Sequence, residues 1–323
     1  MQQYIIRRVL LNLLVIFFVA TLVFLLLRVD TDYVVTQRAL QTQVEDPAAA
    51  KAIVRKDLGL DKPLLVQYRT YLWNISRGDL GESFSAREDV MGEIKDRIGP
   101  SIELGLLQII VALLVGVPIG VISAIRQDSI VDYVLRFLAI ALLGVPVFVL
   151  AVFVILFTAR SDSTFLSDWF GVHGVWVDFF DDPVENLKRV TGPAIVGGLG
   201  IGAIIMRFLR SQMLEVMRQD YVRTAWAKGL RERVIIVRHS LKNALIPVLT
   251  VVGLLLGTIV SANVILEWLF AIPGIGLWVV NAIGTLDYPV IQGVVLVVAA
   301  ILVFVNLLVD ISYAWLDPRI RYG

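Results

Sequence analysis

The chain has no cysteine among its 323 residues, and its two histidines, His173 and His239, lie far apart in sequence. That excludes disulfides, thiolate metal sites and cysteine nucleophiles, and it leaves no histidine spacing suited to a metal. Charge is scarce as well: 18% of residues are Asp, Glu, Lys or Arg, and the formal net charge is +1. Bulk electrostatic affinity for nucleic acid is excluded on that ground. With 58% hydrophobic residues and a mean hydropathy of +0.80, the composition is that of an integral membrane protein. Ionisable groups are scarcest inside the apolar runs. Glu103 stands at the rim of one run and Asp310 near the end of another, and Asn12, Gln108, Asn263 and Asn306 are the main polar side chains within. A charge at mid-membrane costs roughly 3 kcal/mol or more and persists for function. Its scarcity argues against an ion-coupled carrier or a channel, so a transporter of this composition needs a soluble energy source acting on a loop.

What the chain does have is six apolar windows: 9–27, 102–125, 134–158, 194–206 extended by about a turn at its cytosolic end, 246–266 and 290–311. Each approaches the roughly 20 residues that a spanning helix needs. The fourth has the weakest edges, because Arg207 and Arg210 end its apolar core and four glycines, 197, 198, 200 and 202, interrupt it. The first follows Arg7 and Arg8 in the manner of a secretory signal. It is long for one, however, and Leu25-Leu26-Leu27-Arg28 offers no small-x-small cleavage site, so the expectation is an uncut anchor.

Short-loop Lys and Arg set orientation. Nine of them lie between Met206 and Leu245, against Glu215, Asp220 and Glu232, which places that stretch in the cytosol. The stretch after the third window is acidic, with Asp162, Asp168, Asp178, Asp181, Asp182 and Glu185, and residues 267–289 contain no Lys or Arg. Those two loops are expected to face outward, and both termini to be cytosolic. Residues 29–100 form a polar extracytoplasmic segment. In it the turn signals "GLDKP" and "RGDLGES" bracket an amphipathic stretch with Tyr68, Tyr71, Leu72 and Trp73.

Several positions predict packing. Gly253, Gly257 and Ser261 recur every four residues and define a close-approach face. Gly116, Pro118 and Gly120 predict a bend in the second helix, and Gly144 and Pro146 one in the third. Asn306, Asp310, Tyr313 and Asp317 make one polar stripe on the last helix, read as a seam against a neighbour rather than a substrate site.

The basic segment "QDYVRTAWAKGLRERVIIVRHSLKNALIP" carries six Lys or Arg. Asp220 reads as an N-cap, Tyr221 to Lys228 as two helical turns and Gly229 as a left-handed stop. Small Ala225 and Ala227 beside Trp226 give this short helix a surface able to seat in a groove of another protein. Beyond the glycine, Val234, Val237, Leu241 and Leu245 fall on one helical face, with Arg231, Arg238 and Lys242 elsewhere. That second piece suits equally a helix lying at the bilayer surface.

"DYVRTAWAKGL" followed by "RHSLKNALIPV" resembles the EAA loop of permease subunits in ATP-binding cassette importers, in its peptide-importer version. Arg223-Thr224-Ala225 stand where the general signature has Glu-Ala-Ala, and Gly229 stands at its glycine. "GLDKPLLVQY", "RGDLGESF", Glu267-x-x-Phe270-x-x-Pro273-Gly274-x-Gly276, Asp287-Tyr288-Pro289, Asn306-x-x-x-Asp310 and Asp317-Pro318-Arg319-x-Arg321 are similar to the B-type dipeptide and oligopeptide permeases, over essentially the whole chain.

The resemblance implies an all-α membrane protein with six transmembrane helices and the type I importer permease fold. Its expected parts are an anchor at 1–28, the extracytoplasmic segment at 29–100, a permease core at 101–317 with a coupling loop at 207–245, and a cytosolic tail at 318–323. Asp220, Tyr221, Arg223, Thr224, Ala225, Trp226, Ala227, Lys228 and Gly229 would form a coupling helix docked in a cytosolic ATPase. Glu267, Phe270, Pro273, Gly274 and Gly276 would lie near an external receptor. Gly253, Gly257, Ser261, Asn306, Asp310 and Tyr313 would line helix seams. The chain would not be catalytic itself and would hold no cofactor or metal, ATP and magnesium being bound by partner ATPases. Its partners would be a C-type permease, two ATPase subunits, a peptide-binding protein and the lipid bilayer of a prokaryotic plasma membrane, with no nucleic acid. Peptide is the implied cargo, with nickel, glutathione or another small solute as the alternative on the same machinery.

Overall fold

A computed structural model describes residues 2–26, 28, 31–40, 44, 46–257, 261 and 263–316, with the backbone alone at 2–5, 26, 37 and 310–316. Among the described residues the secondary structure is helical, apart from one isolated bridge between Glu82 and Asp89. Five helices are long and apolar enough to cross a bilayer: Ile6–Leu25, Val90–Ile125, Pro183–Met217, Glu232–Gly257 and Tyr288–Val309. The apolar pair Ile130–Gly144 and Val147–Arg160, bent by 97° at a short break, makes a sixth when the two are taken as one broken span. The expected all-α, six-span membrane fold is thus met, and the contacts divide the chain into two units, 1–97 with 278–323, and 98–277.

In the first unit α1 (Gln2–Leu26) packs along the last helix, Tyr288–Leu316, and α2 (Thr31–Leu40) packs on α3 (Pro47–Asp57). Asp46 starts α3 by accepting from the Ala48 amide at 2.9 Å, with Pro47 at the first helical position. The stretch between the two predicted turn signals is α4 (Leu64–Ser76). Its Tyr68 and Tyr71 rings pack on buried Phe24 of α1, centroids 5.0 and 5.2 Å away, and the Tyr68 hydroxyl meets Thr21 Oγ1 at 2.6 Å.

The two distant motifs "GESF" and "DYP" meet at one carboxylate. Asp287 Oδ2 accepts from the Ser83 hydroxyl at 2.7 Å and the Ser85 amide at 2.9 Å, and Oδ1 from the Phe84 amide at 3.0 Å. Burial alone would raise this carboxyl. The three donors outweigh it, and its pKa falls below the usual Asp value.

The second unit is built on α5 (Val90–Ile125) from residue 98 onward, and on α9 (Pro183–Met217). Three findings here revise the sequence-based expectation. The fourth span is not short: α9 runs 35 residues, begun by Asp182, which accepts from the Val184 and Glu185 amides at 3.1 Å. The glycines of α5, a helix continuous through Pro118, have a use beyond the predicted bend. Gly116 and Gly120 admit the neighbouring backbone, since a Cβ on Gly116 would lie 2.6 Å from the Gly202 carbonyl and one on Gly120 2.9 Å from that of Met206. Gly198 returns the approach, with a Cβ there 2.8 Å from the Gln108 carbonyl.

The third finding is that the predicted bend at Gly144 and Pro146 is a full break between α6 (Ile130–Gly144) and α7 (Val147–Arg160). Val145 is extended at φ −93° and ψ 122°, as a residue before proline is driven to be. Around α5, α9 and α12 (Lys242–Gly257) lies the main core, with Ile109, Ala112, Ile205, Leu209, Met213, Ala244 and Val248 buried.

The fifth span is displaced from its predicted window. It starts at Glu232 inside the basic segment, its described part reaches Gly257, and Val264–Leu269 is a short helix. Of the expected seam, Gly253 and Gly257 are buried in α12, Ser261 is exposed and Asn306 is partly buried. The side chains of Asp310 and Tyr313, and residues Asp317, Arg319 and Arg321, lie outside the described residues.

Candidate functional site

The basic segment folds as predicted in outline. After α9, Gln219 takes the N-cap position of α10 (Asp220–Ala227), so Asp220 sits one place later than expected, inside the first turn, where its charge suits the helix dipole. At the other end Gly229 adopts φ +73°, the left-handed stop expected of it, and its amide bonds the Trp226 carbonyl at 2.9 Å.

The helix has two sharply different faces. Val222 and Ala225 are fully buried and form a small core with Ile235 and Val216. Tyr221, Arg223, Thr224, Trp226, Ala227, Lys228 and Gly229 are exposed. Trp226 is half exposed, at 51%. Ala225, expected on the docking surface, is therefore part of its footing. The Tyr221 hydroxyl accepts from Asn243 Nδ2 at 3.0 Å, and Asn243 also bonds the His239 carbonyl, which ties the helix to the base of the fifth span.

That base is where the predicted face fails. A helical wheel puts Val234, Val237, Leu241 and Leu245 together, yet Val234 and Val237 are exposed. The buried positions are Ile235, Ser240, Ala244 and Val248. The step of five from Ile235 to Ser240 follows from a π-helical stretch, Ile235–Leu241, between a short α-turn (Glu232–Val234) and α12. One wide turn rotates the buried face away from where a 3.6-residue period places it.

Sequence reasoning missed a buried charged cluster beside α9. Asp132, fully buried, accepts from Arg210 through Nε to Oδ1 at 2.8 Å and Nη2 to Oδ2 at 2.7 Å. Its carboxylate also accepts from Ser123 Oγ and the Asp128 amide, and Arg136 Nε stands 3.4 Å away. The signal available was the pair Asp132 and Arg136, four residues apart at the start of an apolar run. The partner Arg210, 78 residues on, was not legible.

The turn expected near an external receptor is largely internal. Glu267, Phe270, Gly274 and Gly276 are buried, and Pro273 is half-buried. Glu267 Oε2 accepts from the Gly276 amide at 2.7 Å and the Leu277 amide at 3.3 Å, satisfying the first N–H groups of the helix Ile275–Gly284. Ser101 Oγ accepts from the Ile275 amide at 2.9 Å. A Cβ on Gly274 would collide with the Glu267 carboxylate and Ser101 Oγ, and one on Gly276 would lie 2.6 Å from Val264 Cα. The motif is thus a helix cap closed too tightly for side chains. Burial pushes the Glu267 carboxyl up, with Ser101 and the two amides opposing. What this turn offers to solvent is Ile265, Trp268 and Ala271. No group of three or more His, Cys, Asp or Glu able to hold a metal occurs among the described residues.

Residues 116–322 match the family described as binding-protein-dependent transport system inner membrane component, and residues 1–105 match the N-terminal region of the same membrane components. A putative peptide permease protein of Brucella suis biovar 1 is 39% identical over 330 residues, covering 99% of each chain. The dipeptide transport system permease protein of Escherichia coli K12 is 38% identical over 284 residues, 82% of this chain and 84% of its own. The di/tripeptide transport system permease protein of Pseudomonas aeruginosa is 37% identical over 341 residues, 100% of this chain and 99% of its own.

Proposed function

Because this chain belongs to the inner-membrane components of binding-protein-dependent transport systems, we propose that it is the B-type permease subunit of an ATP-driven importer of short peptides. The cargo reading rests on its relatives, named as dipeptide and di/tripeptide permeases over most or all of their length. The one observation that carries the mechanism is α10, an eight-residue helix with a buried footing, Val222 and Ala225, under an exposed face of Tyr221, Arg223 and Trp226. An exposed aromatic pair with a cation on a firmly seated helix is an anchor for a partner's groove.

In this reading the basic segment and both termini are cytosolic, and residues 29–100 are extracytoplasmic. The chain pairs with a homologous C-type permease. Two cytosolic ATPases bind ATP and magnesium and grip α10, while an external peptide-binding protein delivers cargo. ATPase closure moves α10, and the π-helical joint and the Tyr221–Asn243 bond pass that motion into the fifth span.

Trp226→Ala and Arg223→Glu, both on the open face, test the coupling. Expected is loss of ATPase copurification and of ATP-driven dipeptide uptake, with membrane insertion and melting temperature unchanged. Full uptake in the double variant would overturn the coupling role.

A further inference from the structure

In the first unit the depth of α4 in the bilayer can be read from what it touches on α1. The apolar run by which α1 crosses the membrane ends at Leu25. Thr21, whose Oγ1 meets the Tyr68 hydroxyl at 2.6 Å, lies four residues before that end, roughly 6 Å inside it at about 1.5 Å per residue. Phe24, packed on the Tyr68 and Tyr71 rings, is in the last turn of the run. Arg28, just beyond the run, donates through Nε to Gln67 Oε1 at 2.9 Å. These contacts straddle the rim of the span, so α4 lies where hydrocarbon gives way to headgroups.

The helix has three sides. Gln67, Tyr68 and Tyr71 meet α1. Thr70, Asn74 and Ile75 line a cleft shared with α2 and α3. The third side is open: Leu65, Arg69 and Trp73 recur every four residues with Val66 beside them, and all four are exposed, Leu65 at 81% and Trp73 at 58%. Arg77, just past the C-terminal end, stacks its guanidinium 4.1 Å from the centre of the Trp73 ring. The adjoining surface of α1 is apolar too, since Phe18, Leu22 and Leu25, on the turns around Thr21, are exposed on a spanning helix. Large apolar side chains interleaved with arginine, one of them stacked on tryptophan, suit a helix lying in the plane of the interface.

We propose that α4 is an interfacial helix, seated in the membrane surface with Leu65, Val66 and Trp73 at the boundary between headgroups and acyl chains and with Arg69 and Arg77 on lipid phosphates. The choice of lipid over a protein partner rests on depth: the hydroxyl that Tyr68 meets belongs to a residue inside the apolar run. The inference requires α1 to cross the bilayer and is independent of the cargo. Seated in this way, α4 holds one wall of the cleft at headgroup level.

The cysteine-free chain permits single spin labels. Full-length Leu65→Cys and, separately, Thr70→Cys are labelled and placed in nanodiscs of phosphatidylethanolamine and phosphatidylglycerol with no other protein present. Power-saturation EPR then compares access by oxygen with access by a water-soluble nickel chelate. Expected at 65 is a preference for oxygen, corresponding to a depth of roughly 5–10 Å into the headgroup boundary. The label at 70, on the cleft side, should prefer nickel. Both positions are exposed, so neither label displaces a packed side chain. Reversing both charges, Arg69→Glu with Arg77→Glu, should shift the label at 65 toward nickel. A nickel preference at 65 in the otherwise unchanged chain, the same preference at 65 and 70, or a depth at 65 indifferent to the double reversal would each overturn the seat. A label at 65 that loses nickel access only when an external binding protein is added would overturn it in favour of a protein partner.

Discussion

Asp132 and Arg210 bury opposite charges in good geometry, and the value of such a pair shows only when one partner is removed. Asp132→Ala leaves the largely covered Arg210, with the part-exposed Arg136 beside it, without a counter-ion, at a cost of about 3 kcal/mol, the low end for a buried pair. The double variant Asp132→Leu with Arg210→Met should recover much of that, because it removes the uncompensated charge with the pair. Chemical unfolding of both variants in detergent checks this; a double variant less stable than Asp132→Ala would contradict it. Asp287 makes a second prediction at this scale. Its pKa is lowered in the folded protein, so its contribution is present above the ordinary Asp value near about 3.9 and is lost as pH falls through the lower native value. Asp287→Asn should cost about 2 kcal/mol near neutrality, with the gap from wild type closing under acid. A gap that stays constant from pH 7 to pH 2 would contradict the carboxylate's role. Legibility at this scale follows distance along the chain. Gly229 was readable because a left-handed stop is a local demand, whereas Arg210 meeting Asp132 is a contact across 78 residues that no pattern announces.

At the scale of elements, glycine has two uses that the sequence does not tell apart. Gly144 stands at a real break, but the proline after it sets that break through Val145. Gly116 and Gly120 sit inside an unbroken helix and exist for contact. Gly116→Ala would drive a methyl against the Gly202 carbonyl, and overpacking of this kind costs about 1–3 kcal/mol. Gly200, where an added methyl meets nothing within 4 Å, is the control, and its alanine variant should be neutral or slightly stabilising. Thermal melts of the two variants decide it; equal melting temperatures would remove the packing role. The displaced face of the fifth span has the same lesson. Counting apolar residues at 3.6 per turn chose Val234 and Val237, and the π-helical turn put Ile235 and Ser240 inside instead. Nothing in the residue types marks that turn. The cap built on Glu267 was visible as a motif, but its inward orientation was not, because the glycines that make it tight also read as a surface turn.

For the whole molecule, composition alone placed the chain in a bilayer, and the thinness of internal charge pointed to an outside source of work. Reconstituted alone, the chain should show no peptide flux above that of empty vesicles. Steady ATP-independent flux would return the channel reading to contention. The acidic and basic loops set an expected orientation, which cysteine labelling at residues 164 and 228 from either side of a sealed vesicle can check.

The clasp between Asp287 and the 83–85 loop joins partners up to 204 residues apart within one unit. A ribosome delivers the loop long before the aspartate. Until the last helix emerges, the early appendage must therefore wait with its Phe84 and Ser85 amides unanswered, held open by the order of synthesis. Nascent chains arrested short of Asp287 should be cut by protease near Phe84, and chains released at full length should resist.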